Sequence, residues 1–203
     1  MDRPLRRTTL RDEIKDRIVE SQVAIEFGTS QAPVREALRE LEAMRFVETQ
    51  PHRGARVREV TTEELIQIYP VRAALEELAG RAAAVRMSEE QLSALADELA
   101  GMRQAADAQD LQAQLLHDVR FHEIIVEASG NQVLVDVWRS LRVEARTLIS
   151  VIRADSDLRM IAEMHRPVLR ALQSRDPELA GKEMRAHIEF FGSLVARRPD
   201  EHD

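Results

Sequence analysis

The run over residues 29–48, TSQAPVREALRELEAMRFVE, constrains this chain more than any other stretch. Val34, Ala37, Leu38 and Leu41 recur at intervals of three and four, which is the period of a helix with one face turned inward. Gln31, Arg35 and Arg39 lie four apart on another face. Amide and guanidinium groups on such a stripe can hydrogen-bond base edges or phosphates in a DNA major groove. Upstream, Ser21 is a good N-cap for a short helix with Val23, Ala24 and Phe27 inward, and Gly28 can take the left-handed turn that ends it. Thr29 or Ser30 then caps the next helix, whose first turn tolerates Pro33. Downstream, Phe46, Val47 and Glu48 and then Ala55, Arg56 and Val57 read as two short strands around a basic tip of Pro51, His52, Arg53 and Gly54. That order of turn, helix and hairpin is the pattern of a winged helix-turn-helix.

Residues 10–60 resemble the winged helix-turn-helix of the GntR family of bacterial transcription regulators. The resemblance rests on PVREALRELE, the aromatic-valine strand and the RGA wing tip. It implies DNA contacts from Ser30, Gln31, Arg35, Arg39, Arg53 and Gly54. The chain also departs from the family. Gln31 and Ala32 stand where an arginine and a threonine are usual, Arg45 where a glycine is usual, and Thr49 and Gln50 where basic residues are usual. Gln31 suits adenine better than guanine, so the operator preference shifts accordingly. Arg45 must adopt positive φ or end its helix differently. Ile18 runs almost directly into Val19, Glu20 and Ser21, where the family has a longer loop, so the first two helices could fuse.

Charge distribution agrees with a sequence-selective binder. The whole chain of 203 residues carries a net charge of -7, which argues against nonspecific coating of nucleic acid. Residues 1–60 hold 12 basic and 11 acidic side chains, leaving 17 and 25 for the rest. A near-neutral head with arginines on one face is therefore joined to an acidic body. With no cysteine, disulfides and thiolate metal sites are excluded. Neither a signal peptide nor an apolar span of about 18 residues is recognisable, and the expected location is the cytoplasm.

The predicted fold class is mostly α, an N-terminal winged helix-turn-helix over 1–60 followed by an all-α antiparallel helical bundle over 61–197, with 198–203 as a tail. Thr61 or Thr62 with Glu64 starts the bundle, and Leu65, Ile68, Leu75 and Leu78 give an apolar stripe in a helix that Pro70 kinks. Further helices are predicted over 88–108, 111–128, 132–152, 157–173 and 177–195, six in all, with short connections.

Four polar residues interrupt the inward faces of this bundle. Asp118 and His122 share a stripe with Leu111, Leu115 and Ile125. His165 lies with Ile161, Val168 and Leu172, and His187 with Met184, Phe191 and Leu194. Buried charge is costly unless it is paired or holds a metal. Three imidazoles and a carboxylate from three helices suit a divalent ion, zinc or nickel first, with manganese and iron compatible. Spacing alone leaves a metal-free hydrogen-bond network equally open.

Residues 61–195 resemble the all-helical effector domain called FCD, in its six-helix, VanR-like form, which accompanies the same head in the FadR-type branch of the family. There an aspartate and a histidine separated by three residues, with two later histidines, hold a metal, and the pattern falls on Asp118, His122, His165 and His187. The metal in such domains often helps to bind a small organic carboxylate. Arg72 stands where the family often has an arginine facing the pocket, and a guanidinium can grip a carboxylate in bidentate fashion. A surface pair with Glu76 one turn on is the competing reading of Arg72. Arg146 is a second effector candidate. Asn131 reads as a helix cap, Trp138 as packing, and His117 and His52 as solvent-facing.

The resemblance implies a ligand-responsive transcription regulator, a repressor, acting as a homodimer on two-fold symmetric, double-stranded operator DNA. It implies no enzyme activity and no membrane partner. Two other readings compete: a helical metal- or ligand-binding protein whose head no longer binds DNA, and a metal-dependent enzyme using the bundle site. No additional acid or base near the four ligands is recognisable to support the enzyme.

Overall fold

The computed structural model describes residues 17–43, 47–50, 54–57, 61–141, 147 and 157–196. The chain divides into two compact units, residues 1–59 and 60–203.

In the first unit, β1 (Arg17–Ile18) is followed at once by α1 (Glu20–Glu26), α2 (Gln31–Ala43), β2 (Val47–Gln50) and β3 (Gly54–Val57). The sheet has the order β1-β3-β2, with both pairs antiparallel. Arg17 lies opposite Arg56 and Ile18 opposite Ala55, so the chain before α1 is extended and sheet-bonded. Fusion into α1 is thereby excluded: Val19, at φ -104° and ψ 117°, breaks the helical path. Helix α1 begins at Glu20, earlier than a Ser21 cap would place it, and its N-cap Val19 makes no side-chain hydrogen bond. Gly28 does take positive φ, 61°.

The small core of this unit comprises Ala24, Val34, Leu38, Val47 and Ala55, with Ile18 and Val23 against it. Three expected core residues lie elsewhere. Phe27 is 76% exposed, because it is the C-cap of α1 and its side chain falls beyond the Val23–Ala24 stripe. Ala37 is exposed and Leu41 is 36% exposed, so the covered strip of α2 is narrower than its apolar spacing. Phe46, Arg45 and the wing tip at 51–53 lie outside the described residues.

The second unit contains α3 (Thr62–Arg86), α4 (Glu89–Asp107), α5 (Leu111–Ala128), α6 (Gln132–Ser140), α7 (Leu158–Glu163), α8 (Arg166–Gln173) and α9 (Pro177–Ala196). Capping boxes start α3, with Thr61 and Glu64, and α4, with Ser88 and Gln91. Asp110, Asn131 and Asp157 cap α5, α6 and α7 through their side-chain oxygens, which confirms Asn131 as a cap. Helix α3 continues through the exposed Pro70, where it has neighbours enough to survive one lost hydrogen bond.

The helix expected over 157–173 is instead two, α7 and α8, separated by a turn at Met164 and His165. Pro167 explains the break: it occupies the first turn of α8, where its missing N–H costs nothing, but mid-helix it would leave a carbonyl without its donor. Of the helix expected over 132–152, α6 is the described part.

Helix α3 packs chiefly along α9, while α5 packs on both α4 and α3. The buried face of α3 shares Leu65 with the expected leucine stripe and then departs from it. It consists of Leu65, Tyr69, Arg72, Ala73, Glu76, Ala79, Gly80, Ala83 and Ala84, whereas Leu78 is 51% exposed. Small side chains let the α9 backbone approach: a Cβ built on Gly80 would lie 3.0 Å from the Ala180 carbonyl oxygen. The charged pair on α3, Arg72 with Glu76, is buried against α5 and α6 through His122 and Trp138.

Candidate functional site

The four polar residues on the inward stripes meet. His122 is held by α5, His187 by α9, and His165 sits in the turn between α7 and α8. The Nε2 atom of His122 is 3.3 Å from that of His165 and 3.2 Å from that of His187. Asp118, one turn before His122, places Oδ1 3.1 Å from His165 Nε2. Relative exposure is 4% for Asp118, 1% for His122, 0% for His165 and 5% for His187. Aromatic edges close the surroundings, Phe121 against His165 at 5.0 Å between ring centroids and Phe191 against His187 at 5.4 Å.

Neighbouring oxygens dictate the tautomers. The Nδ1 atom of His122 is 2.5 Å from Glu76 Oε2, and that of His165 is 3.0 Å from the Ile161 carbonyl oxygen. An ionised carboxylate and a carbonyl only accept, so both Nδ1 atoms carry protons. Burial pushes the Glu76 carboxyl upward, but the Arg72 charge and then His122 outweigh it and hold it at about 2. Burial also raises Asp118, and the hydrogen bond and charge of His165 bring it below its ordinary value. His187 is driven well below 6.5, first by burial, with the Arg72 charge acting in the same direction.

These donors fit a divalent cation. Tetrahedral ligands at about 2.0–2.1 Å from one zinc ion lie about 3.3–3.4 Å from each other, close to the spacings of His122 from His165 and from His187. Asp118 Oδ2 is buried with no hydrogen-bond partner among the described residues, which leaves a carboxylate oxygen available to a metal. A proton network satisfies the same centre only with an added proton, carried by His165 as a buried imidazolium or by Asp118 as a buried carboxylic acid, because His165 Nδ1 already donates.

Glu76, expected from its spacing to be a surface partner of Arg72, is the hub of the surrounding polar cluster. It is 0% exposed. Its Oε1 accepts from Arg72 Nε at 2.5 Å and from Trp138 Nε1 at 2.9 Å, while its Oε2 accepts from His122. Arg72 is buried, not at the surface, and its Nη1 donates to Thr147 Oγ1 at 3.1 Å. A signal existed in the sequence: Arg72, Glu76, Ala79, Gly80 and Ala83 follow one helical face, and small residues surround the pair. Trp138 is packed as expected, with its N–H satisfied by Glu76. His117 is 40% exposed in its side chain and pairs with Glu98 at 2.7 Å, so it is only partly turned to solvent.

In the first unit, Ser30, Gln31, Arg35 and Arg39 are all exposed around α2, and Gly54 begins β3 at φ 79°. Arg35 is oriented by Glu20, which accepts from Nε at 3.0 Å and Nη2 at 2.9 Å. The carboxyl of Glu20 is lowered, first by that hydrogen bond. Arg53, His52 and Arg146 lie outside the described residues. No helix among the described residues is long and apolar enough to cross a membrane.

Comparison with known proteins agrees across both units. Residues 67–190 match the family described as FCD domain, and residues 7–57 match bacterial regulatory proteins, gntR family. A probable D-xylose utilization operon transcriptional repressor from Paenarthrobacter nicotinovorans is 34% identical over 206 residues, covering 92% of this chain and 89% of that protein. A gluconate operon transcriptional repressor from Bacillus licheniformis is 27% identical over 177 residues, covering 84% and 72%. The solved structure of E. coli McbR/YncC shares the fold with a TM-score of 0.78, at 22% identity, over 90% of this chain and 88% of that one.

Proposed function

The chain belongs to the GntR family of bacterial transcription regulators, in the branch that carries an FCD domain, and from that premise we propose a ligand-responsive repressor whose helical domain binds a divalent metal and a small carboxylate. Its relatives regulate transcription and are not enzymes. The observation that carries the metal and effector reading is the convergence of His122, His165, His187 and Asp118 one carboxylate away from a buried arginine.

Asp118, His122, His165 and His187 would hold the ion. Zinc or nickel suits the donor set, with manganese and iron compatible. Bound there, the metal supplies a Lewis-acidic positive charge that attracts a carboxylate. Arg72 offers a guanidinium for the same anion, with Arg146 a second candidate. One relative is named for the gluconate operon, and gluconate is itself a carboxylate, which supports this effector class.

On the DNA side, Gln31, Arg35 and Arg39 form the reading stripe of α2, with Ser30, Gly54 and Arg53 as flanking contacts to the backbone or groove. A homodimer would set two such stripes on a two-fold symmetric operator in the cytoplasm. Effector binding then changes operator affinity by a coupling of about 1–3 kcal/mol.

Fluorescence anisotropy on a labelled fragment upstream of the protein's own gene tests the proposal, with scrambled DNA and Arg35→Ala as controls and with zinc and small carboxylates added in turn. Selective binding that a carboxylate weakens supports it. Equal, salt-sensitive binding to both DNAs, or none, would favour a head that has lost its operator.

A further inference from the structure

The geometry points to Glu76 as the positioning residue of the metal centre, with Trp138 wired to that centre through the same carboxylate. This inference rests on the metal reading and concerns how the site is held and how its loading is sensed.

Two oxygens of Glu76 accept from three side chains carried by three different helical segments. Oε2 takes the Nδ1 proton of His122, and Oε1 takes Nε of Arg72 and Nε1 of Trp138. Fixing the proton on Nδ1 leaves the lone pair on Nε2, the atom that faces His165 and His187. Glu76 therefore selects the one tautomer of His122 that can ligate from this ring orientation. Arg72 in turn anchors Glu76, so the carboxylate cannot rotate away without leaving a buried guanidinium unpaired.

A carboxamide cannot do the same work. In Glu76→Gln one carbonyl oxygen must serve either His122 or the Arg72 and Trp138 pair. With the NH2 toward His122, Nδ1 of that ring has to accept and Nε2 carries the proton, which points into the centre and blocks ligation. With the NH2 toward Arg72 and Trp138, two buried donors lose their acceptor. The first arrangement blocks ligation although the indole keeps its acceptor; the second keeps the tautomer but cuts the link to Trp138 and loosens the Arg72 anchor of the side chain that holds His122.

Trp138 is the only tryptophan in the chain, so tryptophan emission reports from this one position beside the carboxylate. A metal ion on Nε2 would draw electron density from His122 and make its Nδ1–H a stronger donor to Glu76, to which the indole N–H on the other oxygen responds.

The test is a zinc titration of the full chain against a competing chelator, following Trp138 emission, with the cobalt(II) ligand-field spectrum as a second readout. Wild type is expected to bind with a saturable emission change. Glu76→Gln is expected to bind about 10–100-fold more weakly, with a flattened emission response and an altered cobalt spectrum. Because removal of one charge from a buried pair can prevent folding, the double variant Arg72→Met/Glu76→Gln is measured alongside; it leaves no unpaired charge and should show the same loss. A folded variant of either kind with wild-type zinc affinity overturns the positioning role. Wild type that binds zinc with silent Trp138 emission overturns the link to the indole. Wild type that binds neither zinc nor cobalt overturns the metal reading itself.

Discussion

His122 and His165 face each other nitrogen to nitrogen, their Nε2 atoms 3.3 Å apart, while each directs its Nδ1 proton outward to an oxygen. Two lone pairs at this distance repel unless a metal ion or an added proton lies between them. Stability should therefore respond to metal. Zinc at about 100 times its dissociation constant is expected to add about 2.7 kcal/mol. Thermal unfolding followed by circular dichroism, with zinc and then with excess chelator, checks this; an unchanged midpoint would count against a metal at these ligands.

His165→Ala removes the ligand that sits in the α7–α8 turn. The variant is expected to lose zinc-dependent stabilisation and the response to carboxylates, while basal operator binding persists because the DNA-facing residues belong to the other unit. Metal analysis of the purified variant and the anisotropy assay read the two effects separately. Loss of all DNA binding would contradict that separation.

Arg35 is expected to carry base or phosphate recognition. Arg35→Ala should weaken operator binding about ten- to a hundredfold with no change in metal content. Glu20→Ala should cost less, since it loosens the guanidinium that Glu20 orients without removing it. Equal losses in both variants would assign recognition to the ion pair as a unit.

Gly80→Ala probes the seam between α3 and α9. Alanine is the better helix former by about 1 kcal/mol. Against that, its Cβ would meet Met184 Cγ at 2.8 Å and the Ala180 carbonyl oxygen at 3.0 Å, and the latter is backbone that cannot turn aside. Overpacking is expected to win, with a net loss of about 1–3 kcal/mol in chemical denaturation. A stabilised variant would show that the seam has slack.

The buried polar cluster was legible because polar side chains stood where the helical period demanded apolar ones. Asp118, His122, His165 and His187 each interrupt such a stripe. Glu76 and Arg72 were harder to place, since an arginine with a glutamate four residues later is also the usual pattern of a solvated helix face. What distinguishes them is the row of alanines and Gly80 around them, a feature of volume that counting large apolar residues does not register. The same counting placed Leu78 inside, where the structure exposes it. The break at His165 was written in Pro167. In the head, the GntR-like order of helix and strands was readable, but the β1–β3 bridge that keeps α1 separate depends on a pairing between residues far apart in sequence.

Enclosure of the four ligands has a kinetic consequence. With His165 fully buried and Phe121 and Phe191 edging the rings, neither water nor a chelator reaches the ligand atoms unless neighbouring helices part. Release of a bound ion is then governed by the lifetime of local opening and not by the exchange rate of the aqueous ion. An effector that binds at such an ion would wait on the same opening, so effector exchange and ion release share one rate-limiting motion.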